Sequence, residues 1–350
     1  LSSSYFRSVI PAPLFVYFSP FLKYNNQVIK RGMGMISDFK TLIDRAAAFG
    51  PKRVGIVAPH EASSIDALNE AVKRGLAAGV LIGNRALIEG LLEDLKASPS
   101  VYRIINEKNV DRAAELGVEL AGRGEIDILS KGDVSTNKLL GAALRGPWSL
   151  KTGSLLSDVF IFEDERRGRK SITLASDGGV NVAPDLKEKL GIIRNAVTVA
   201  HALGIRTPKV AVLSGVEKVQ PEVKSTVDAL ALAKICSYGD IPGCIVDGPF
   251  ALDNAVSIEA AKVKKVESPV AGSADILIMP GLEAGNIFGK SLVYYGGKHL
   301  AHVIVGARVP ILISSRSDPP AARLASIALG VLISAHGGEK KRQRPAEAGL

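Results

Sequence analysis

The sequence predicts an α/β protein with a parallel or mostly parallel sheet, and three observations predict it. From Met35 onward, short β-branched runs alternate with amphipathic helical patterns, the rhythm of strand–helix–strand crossovers. One pair of strands, 158–162 and 171–175, is separated only by the charged turn Glu163–Lys170 and reads as a hairpin. At 350 residues, 47% apolar and 23% charged, the chain has the composition of a globular protein. Its length suits about two domains that bury roughly three quarters of the unfolded surface.

Taken in order, Ser37 and Asp38 open a helix through Ala48, because their side chains can accept from the free first-turn amides. The run 53–57 (RVGIV) is a strand, 67–78 a helix and 79–83 (GVLIG) a strand. Residues 87–96 and 110–121 are helical, 126–129 (IDIL) is a strand and 137–145 a helix. The hairpin follows Pro147-Trp148 and breaks the alternation, which puts a domain boundary near residue 150. Residues 184–203 form a long helix. The runs 209–213, 244–247, 275–279, 302–306 and 309–314 are short, mostly β-branched strands, and most are followed by helix. The last helix spans 319–334, and Gly337-Gly338 is expected to end it and leave 339–350 a disordered tail.

The formal charge of +9 is concentrated at the ends. Residues 1–34 contribute +4 through Arg7, Lys23, Lys30 and Arg31, and residues after Gly338 contribute +2, which leaves the body at +3. A body so mildly basic, with 5% aromatic residues, gives no basis for a nucleic-acid partner. Residues 9–22 are apolar, but Pro11, Pro13 and Pro20 interrupt them, and the run is short of the ~20 residues of a membrane span. Lys30 and Arg31 follow the run rather than precede it, the reverse of a secretory signal. We therefore expect folding to begin near Met33 or Met35, with 1–34 a disordered or non-native extension. Two cysteines, Cys236 and Cys244, cannot staple a chain of this length and favour a reducing, cytoplasmic setting.

Ligands of open parallel sheets bind beyond the carboxyl ends of the strands. Two such segments are richer than a turn requires. Lys131–Thr136 (KGDVST) leads into a helix with Ser135 or Thr136 at its N-cap, where free amides and the helix dipole favour an anion. Ser314–Asp318 (SSRSD) offers Arg316 as a planar fork for phosphate or carboxylate among hydroxyls and one carboxylate. Asp177-Gly178-Gly179 also follows a strand and reads as ordinary turn chemistry. Ala284–Ser291 (AGNIFGKS) ends like a phosphate-binding P-loop, but its first glycine, Gly285, is one residue too close. No CxxC, HExxH or GxSxG motif occurs, and His299 and His302 lack metal-site spacing and partners, so neither a metal nor a covalent nucleophile is indicated.

The stretch Asp247–Ser257 (DGPFALDNAVS), continued by Glu259–Lys262, Ser268–Asp275, Met279–Asn286, Val305–Pro310 and Ser314–Asp318, resembles the phosphate acetyltransferase/phosphate butyryltransferase family. The resemblance runs from about Met35 to Gly338, and DGPFALDNAVS looks closer to the butyryl branch. It implies a two-domain α/β fold similar to the isocitrate/isopropylmalate dehydrogenases, with the active site in the interdomain cleft. Domain one would comprise 35–150 plus 308–338, and an inserted domain two would comprise 151–307.

The resemblance also implies the reaction acyl-CoA + phosphate ⇌ acyl phosphate + CoA through a ternary complex. Coenzyme A would be a substrate, no cofactor would be tightly bound, and the enzyme would be a homo-oligomer, dimer or higher. Ser315 and Arg316 match the family's Ser-Arg pair and would act with Asp318 as catalytic residues. Lys131, Gly132, Ser135, Thr136, Arg145, Asp253, Asn254, Glu283, Gly285, Asn286 and Lys290 would bind phosphate or CoA. Two departures stand out. The acetyl branch places a catalytic Asp where this chain has Ala322, leaving Asp318 as the nearest carboxylate, and an Arg where it has Gly141, with Arg145 one helical turn on. Two other readings, a nicotinamide-dependent decarboxylating dehydrogenase and a non-catalytic CoA-binding homologue, are separable by cofactor titration and by turnover.

Overall fold

The computed structural model describes residues 35–166, 168–315 and 317–342, with side chains to residue 337. The expected extension 1–34, the end of the tail and Arg316 lie outside the described residues.

The first crossovers are built as the pattern requires. Helix α1 (Phe39–Ala47) starts on a capping box: Asp38 accepts from the Thr41 amide at 2.7 Å, and Thr41 Oγ1 accepts from the Asp38 amide at 3.2 Å. Strand β1 (Lys52–Val57) is followed by α2 (Ala62–Lys73), β2 (Ala77–Gly83), α3 (Arg85–Asp94) and β3 (Arg103–Asn106). Helix α2 begins five residues before its expected position, and Ala77 and Ala78, expected in a helix, belong to β2. Their pairing in parallel with Lys52 and Arg53 outweighs alanine's helical preference. Strand β3 was not expected, because four residues with exposed charged or polar ends give no alternation to read.

Helix α4 (Val110–Gly122), capped by Asn109, leads to β4 (Ile128–Lys131) and α5 (Thr136–Ala143). Then come the hairpin β5 (Ser157–Asp164) and β6 (Ser171–Ser176), α6 (Leu186–Ala202), β7 (Lys209–Leu213), α7 (Lys224–Ser237) and β8 (Ile245–Phe250). Short helices α8 (Leu252–Val256) and α9 (Ile258–Val263) precede β9 (Ile276–Ile278), α10 (Leu282–Tyr294), β10 (Ala301–Val305), β11 (Ile311–Leu312) and α11 (Pro320–Arg342).

Among the described residues the strands form a single sheet of eleven, in the order β3-β2-β1-β4-β11-β10-β5-β6-β9-β7-β8. It is mostly parallel. The antiparallel pairings are β11–β10, β10–β5 and β5–β6, so the parallel block β3 to β11 and the parallel block β6 to β8 run in opposite directions.

One face is covered continuously by α1, α2, α6 and α11. The opposite face has two separate covers. The α4–α5 pair lies over Val57, Leu129, Ile304 and Ile311, while α10 lies over Phe160, Phe162 and Leu277. Between them, the central strands present Asp158 and His302: Asp158 pairs with Ile304, His302 with Phe160, and Ile304 with Ile311.

Helix α11 corrects the expected terminus. It runs through Gly337-Gly338 to Arg342, so 339–342 are helical rather than a disordered tail. A helical glycine costs only ~1 kcal/mol, which a docked helix tolerates. Pro320–Gly337 is long and apolar enough to cross a membrane, but 72% of it is buried inside the protein, as befits a core helix.

Candidate active site

Strands β4 and β11 are parallel neighbours, with Leu129 beside Ile311 and Ser130 beside Leu312, so the segments 131–136 and 313–318 leave the sheet side by side. In the first, the Gly132 and Asp133 amides donate to the Val57 and Ala58 carbonyls at 2.8 and 2.7 Å. A Cβ at Gly132 would collide with both carbonyls, which explains the glycine. Lys131 is buried, with Nζ donating to the Gly132 carbonyl at 3.3 Å. Ser135 is the N-cap of α5 and accepts from the Lys138 amide, with Thr136 as the first helical residue.

In the second segment, the Ser315 amide donates to Asp318 Oδ2 at 2.6 Å, the Asp318 amide donates back to the Ser315 carbonyl at 3.1 Å, and the Ser315 and Ser317 hydroxyls are 3.0 Å apart. The turn is anchored by Arg323, whose guanidinium donates to the Ser315 carbonyl at 2.9 Å, the Asp318 carbonyl at 3.3 Å and Ser64 Oγ at 2.8 Å. It also pairs with Glu61 at 2.9 Å, so a buried cation ties this loop to the start of α2.

The loop 177–181 closes on the same place from the other parallel block. Asp177, 2% exposed, accepts from the Gly179 and Val180 amides at 2.7 and 2.9 Å and from the Asn181 side chain. Burial first, and then the neighbouring Asp158 carboxylate, push the Asp177 carboxyl above the usual range despite these donors. A Cβ at Gly179 would meet Asp158 Oδ2 at 3.0 Å and Ile313 Cδ1 at 3.2 Å, so this loop lies against both β5 and the 313–318 segment.

Helix α10 joins through Gly285, which packs on the Asp177 carbonyl with no room for a Cβ, and through Asn286 Nδ2, which donates to the Gly178 carbonyl at 3.3 Å. Glu283, Asn286 and Lys290 are exposed at helical spacing on one side of α10. The P-loop-like residues 284–291 are continuous α-helix, so no phosphate loop exists there.

Asp158 and His302 are also part of this place. Both Asp158 carboxylate oxygens lie 3.2 Å from His302 Nδ1. Burial opposes the imidazolium, but Asp158 and, more weakly, Asp318 raise the His302 pKa above the ordinary histidine value. Reading the sequence missed Asp158, His302, Arg323 and Glu61. The available signals were a charged residue at an inward position of an apolar strand and an arginine on the apolar face of the last helix.

Three expected residues lie elsewhere. Asp253 and Asn254 follow the edge strand β8, separated from β6 by β9 and β7. Asp253 pairs with Lys264 at 2.9 Å, and buried Asn254 donates to Glu217 at 3.3 Å, so these residues hold the 252–264 segment to itself and to the loop after β7. Arg145 is beyond the opposite end of α5 from Ser135, about 15 Å away along the axis at 1.5 Å per residue. There it lines a groove of about 720 Å³ with Arg112, Gly141 and Trp148. Both cysteines are outside the site, and burial pushes Cys236 up to about 11 and Cys244 up to about 12, so neither is a ready nucleophile. Among the described residues no group of three or more His, Cys, Asp or Glu could hold a metal ion.

Residues 101–331 match the family model described as "Phosphate acetyl/butaryl transferase". The chain belongs to the phosphate acetyl/butyryl transferase family. It is 38% identical over 300 residues to the phosphate butyryltransferase of Clostridium acetobutylicum, covering 86% of this chain and 99% of that one. It is also 38% identical over 293 residues to the phosphate acetyltransferase of Thermotoga maritima, covering 84% and 98%. Among solved structures, a branched-chain phosphotransacylase from Enterococcus faecalis V583 superposes with a TM-score of 0.71 at 27% identity, covering 81% of this chain and 99% of that one. In this chain, the loops 131–136, 177–181 and 313–318 and helix α10 form the candidate active site.

Proposed function

We propose that this chain is a phosphate acyltransferase that catalyses acyl-CoA + phosphate ⇌ acyl phosphate + CoA by direct attack in a ternary complex. The observation that carries the reading is the convergence of the 131–136 helix start and the Ser315–Asp318 turn, an anion-favouring pair, beneath a loop and helix from the opposite parallel block.

Arg316 holds phosphate through its planar fork, Ser315 donates to phosphate or to the reacting carbonyl, and Asp318 orders the turn by accepting from the Ser315 amide. Lys131, Gly132, Ser135 and Thr136 receive the phosphate end. Glu283, Asn286 and Lys290 border the CoA side, with Gly285 setting the approach of α10. Short acyl groups, butyryl or branched, are preferred over acetyl. The equal 38% identities to a butyryl and an acetyl enzyme do not bear on this preference, whereas the motif Asp247–Ser257 and the branched-chain relative favour it.

The sheet order supports a two-domain reading: β3-β2-β1-β4-β11 would belong to domain one (35–150 plus 308–338) and β10-β5-β6-β9-β7-β8 to the inserted domain two (151–307). The site then lies in the cleft between them. The free thiols of Cys236 and Cys244 suit a cytoplasmic enzyme. A homo-oligomer is expected, and a monomer by light scattering overturns that expectation.

The test is CoA-dependent consumption of acetyl, butyryl and branched acyl phosphates by the purified chain. Replacing Arg316 with Ala should lower turnover at least tenfold, about 1.4 kcal/mol. No turnover in either direction with any acyl group overturns the proposal.

A further inference from the structure

The CoA thiol, with an ordinary pKa near 8.5, needs a base within reach of the acyl carbonyl to attack at neutral pH. Three carboxylates nearest the Ser315–Asp318 turn and the 177–181 loop are already engaged. Asp318 accepts from the Ser315 amide at 2.6 Å. Asp177 is tied down by four backbone amides and the Asn181 side chain. Asp158, 1% exposed, lies against His302.

His302 itself differs from all three. Its Nδ1 takes up the Asp158 contact at 3.2 Å, leaving Nε2 on the far edge of the ring with no hydrogen bond among the described residues. Its side chain is 22% exposed. The ring is fixed from several sides: Phe160 lies beneath it at a centroid distance of 5.4 Å, and Ser326 Oγ holds the His302 amide at 3.0 Å. On the face they share, β10 is the antiparallel neighbour of β11, the strand that runs directly into Ser314–Asp318.

We propose that His302 is the general base of acyl transfer, oriented by Asp158. This assignment rests on the acyltransfer reading given above. In the step, His302 Nε2 takes the thiol proton as the sulfur–carbonyl bond forms and the bond from carbon to the phosphate oxygen breaks. The proton then passes to the departing phosphate, so CoA and acyl phosphate give acyl-CoA and hydrogen phosphate with no other reactant. The arrangement is that of a buried carboxylate holding an imidazole in one tautomer. The charged groups facing His302 are Asp158 from β5 and Asp318 from the loop before α11, and both favour the imidazolium. The acidic limb of the pH profile should therefore lie above the ordinary histidine value.

The experiment follows thioester formation from CoA and butyryl phosphate across pH with the full-length protein, His302→Gln and Asp158→Asn, and measures CoA binding by calorimetry. His302→Gln should lose about a hundredfold or more in kcat/KM and the acidic limb, while CoA affinity stays within a few-fold. Asp158→Asn should keep measurable turnover with its acidic limb moved to lower pH, because the imidazolium has lost its carboxylate.

An active wild type whose His302→Gln variant keeps its rate and its acidic limb overturns the assignment and leaves the acyltransfer reading standing. If His302→Gln does not fold, NMR titration of the His302 imidazole in the wild type and in Asp158→Asn decides: an acidic limb that follows the His302 titration in both proteins supports the assignment, and one that departs from it overturns it. A wild type inactive toward every acyl phosphate overturns both.

Discussion

Replacing Arg323 with Met tests whether the Ser315–Asp318 turn is held by a buried cation. The Arg323 side chain is 5% exposed, and its guanidinium serves the carbonyls of Ser315 and Asp318, the Ser64 hydroxyl and the Glu61 carboxylate. Methionine fills much of the same volume but supplies no donor. The loss leaves Glu61, 22% exposed, without its counter-charge and with only the Ser64 hydroxyl at 2.8 Å, and removes a charged donor from two loop carbonyls. Breaking one side of a buried ion pair costs about 3–5 kcal/mol. At about 2 °C or more per kcal/mol for a chain of this size, the unfolding midpoint should fall by about 6 °C or more. Since the same guanidinium positions Ser315, acyl transfer should drop as well, even at temperatures where the variant remains folded. Thermal unfolding of Arg323→Met, Glu61→Gln and the double variant measures the coupling. If the single variant stays within about 2 °C of wild type, or if the cycle shows less than about 0.5 kcal/mol of coupling, the anchoring argument is wrong.

Three further variants test packing and charge. Gly285→Ala drives a Cβ into the Asp177 carbonyl and should cost about 1–3 kcal/mol together with activity. Gly90→Ala, in the interior of α3 with open space around it, should be neutral or stabilising by about 0.5–1 kcal/mol in the same melts. Asp228→Ala leaves the buried Lys189 ammonium without its partner at 2.8 Å and should cost about 3–5 kcal/mol in denaturant titration. Burial raises the Asp228 carboxyl, but Lys189 and Lys224 more than offset it and hold the pKa below the ordinary value. The wild type should therefore carry this stabilisation above the unfolded aspartate pKa of about 3.9 and lose it as pH falls through the lower folded value, and Asp228→Ala should flatten that acid limb.

Local patterns carried most of the fold. The capping residues Asp38 and Ser135 stand where the side chains near the expected helix starts put them, while the helix expected from residue 184 starts two residues later, on an Asp185 cap. Strand 209–213 falls on the residues its β-branched run indicates. The misplaced elements are those whose state depends on neighbours distant in sequence. Ala77 and Ala78 are strand because β1 lies beside them, and β3 exists because β2 offers it an edge.

The same division holds for the site. Lys131–Thr136 and Ser314–Asp318 were legible because each segment concentrates anion-binding chemistry within a few residues, and the motif from 247 to 318 carried the family resemblance. The resemblance could not tell which of its residues gather. Asp253 and Asn254 belong to the same motif as Glu283 and Asn286, yet they follow the edge strand β8. Asp158 and His302 are 144 positions apart and became neighbours only through the antiparallel pairing of β5 with β10. Arg323 reaches Ser64 across 259 positions. By itself, the sequence determined the α/β class, the anion-favouring helix start and the loop that bears Ser315, because those follow from side chains acting on their own backbone. Only the tertiary structure decided which carboxylates, which imidazole and which guanidinium surround them, because strand order and the two opposed parallel blocks set those distances.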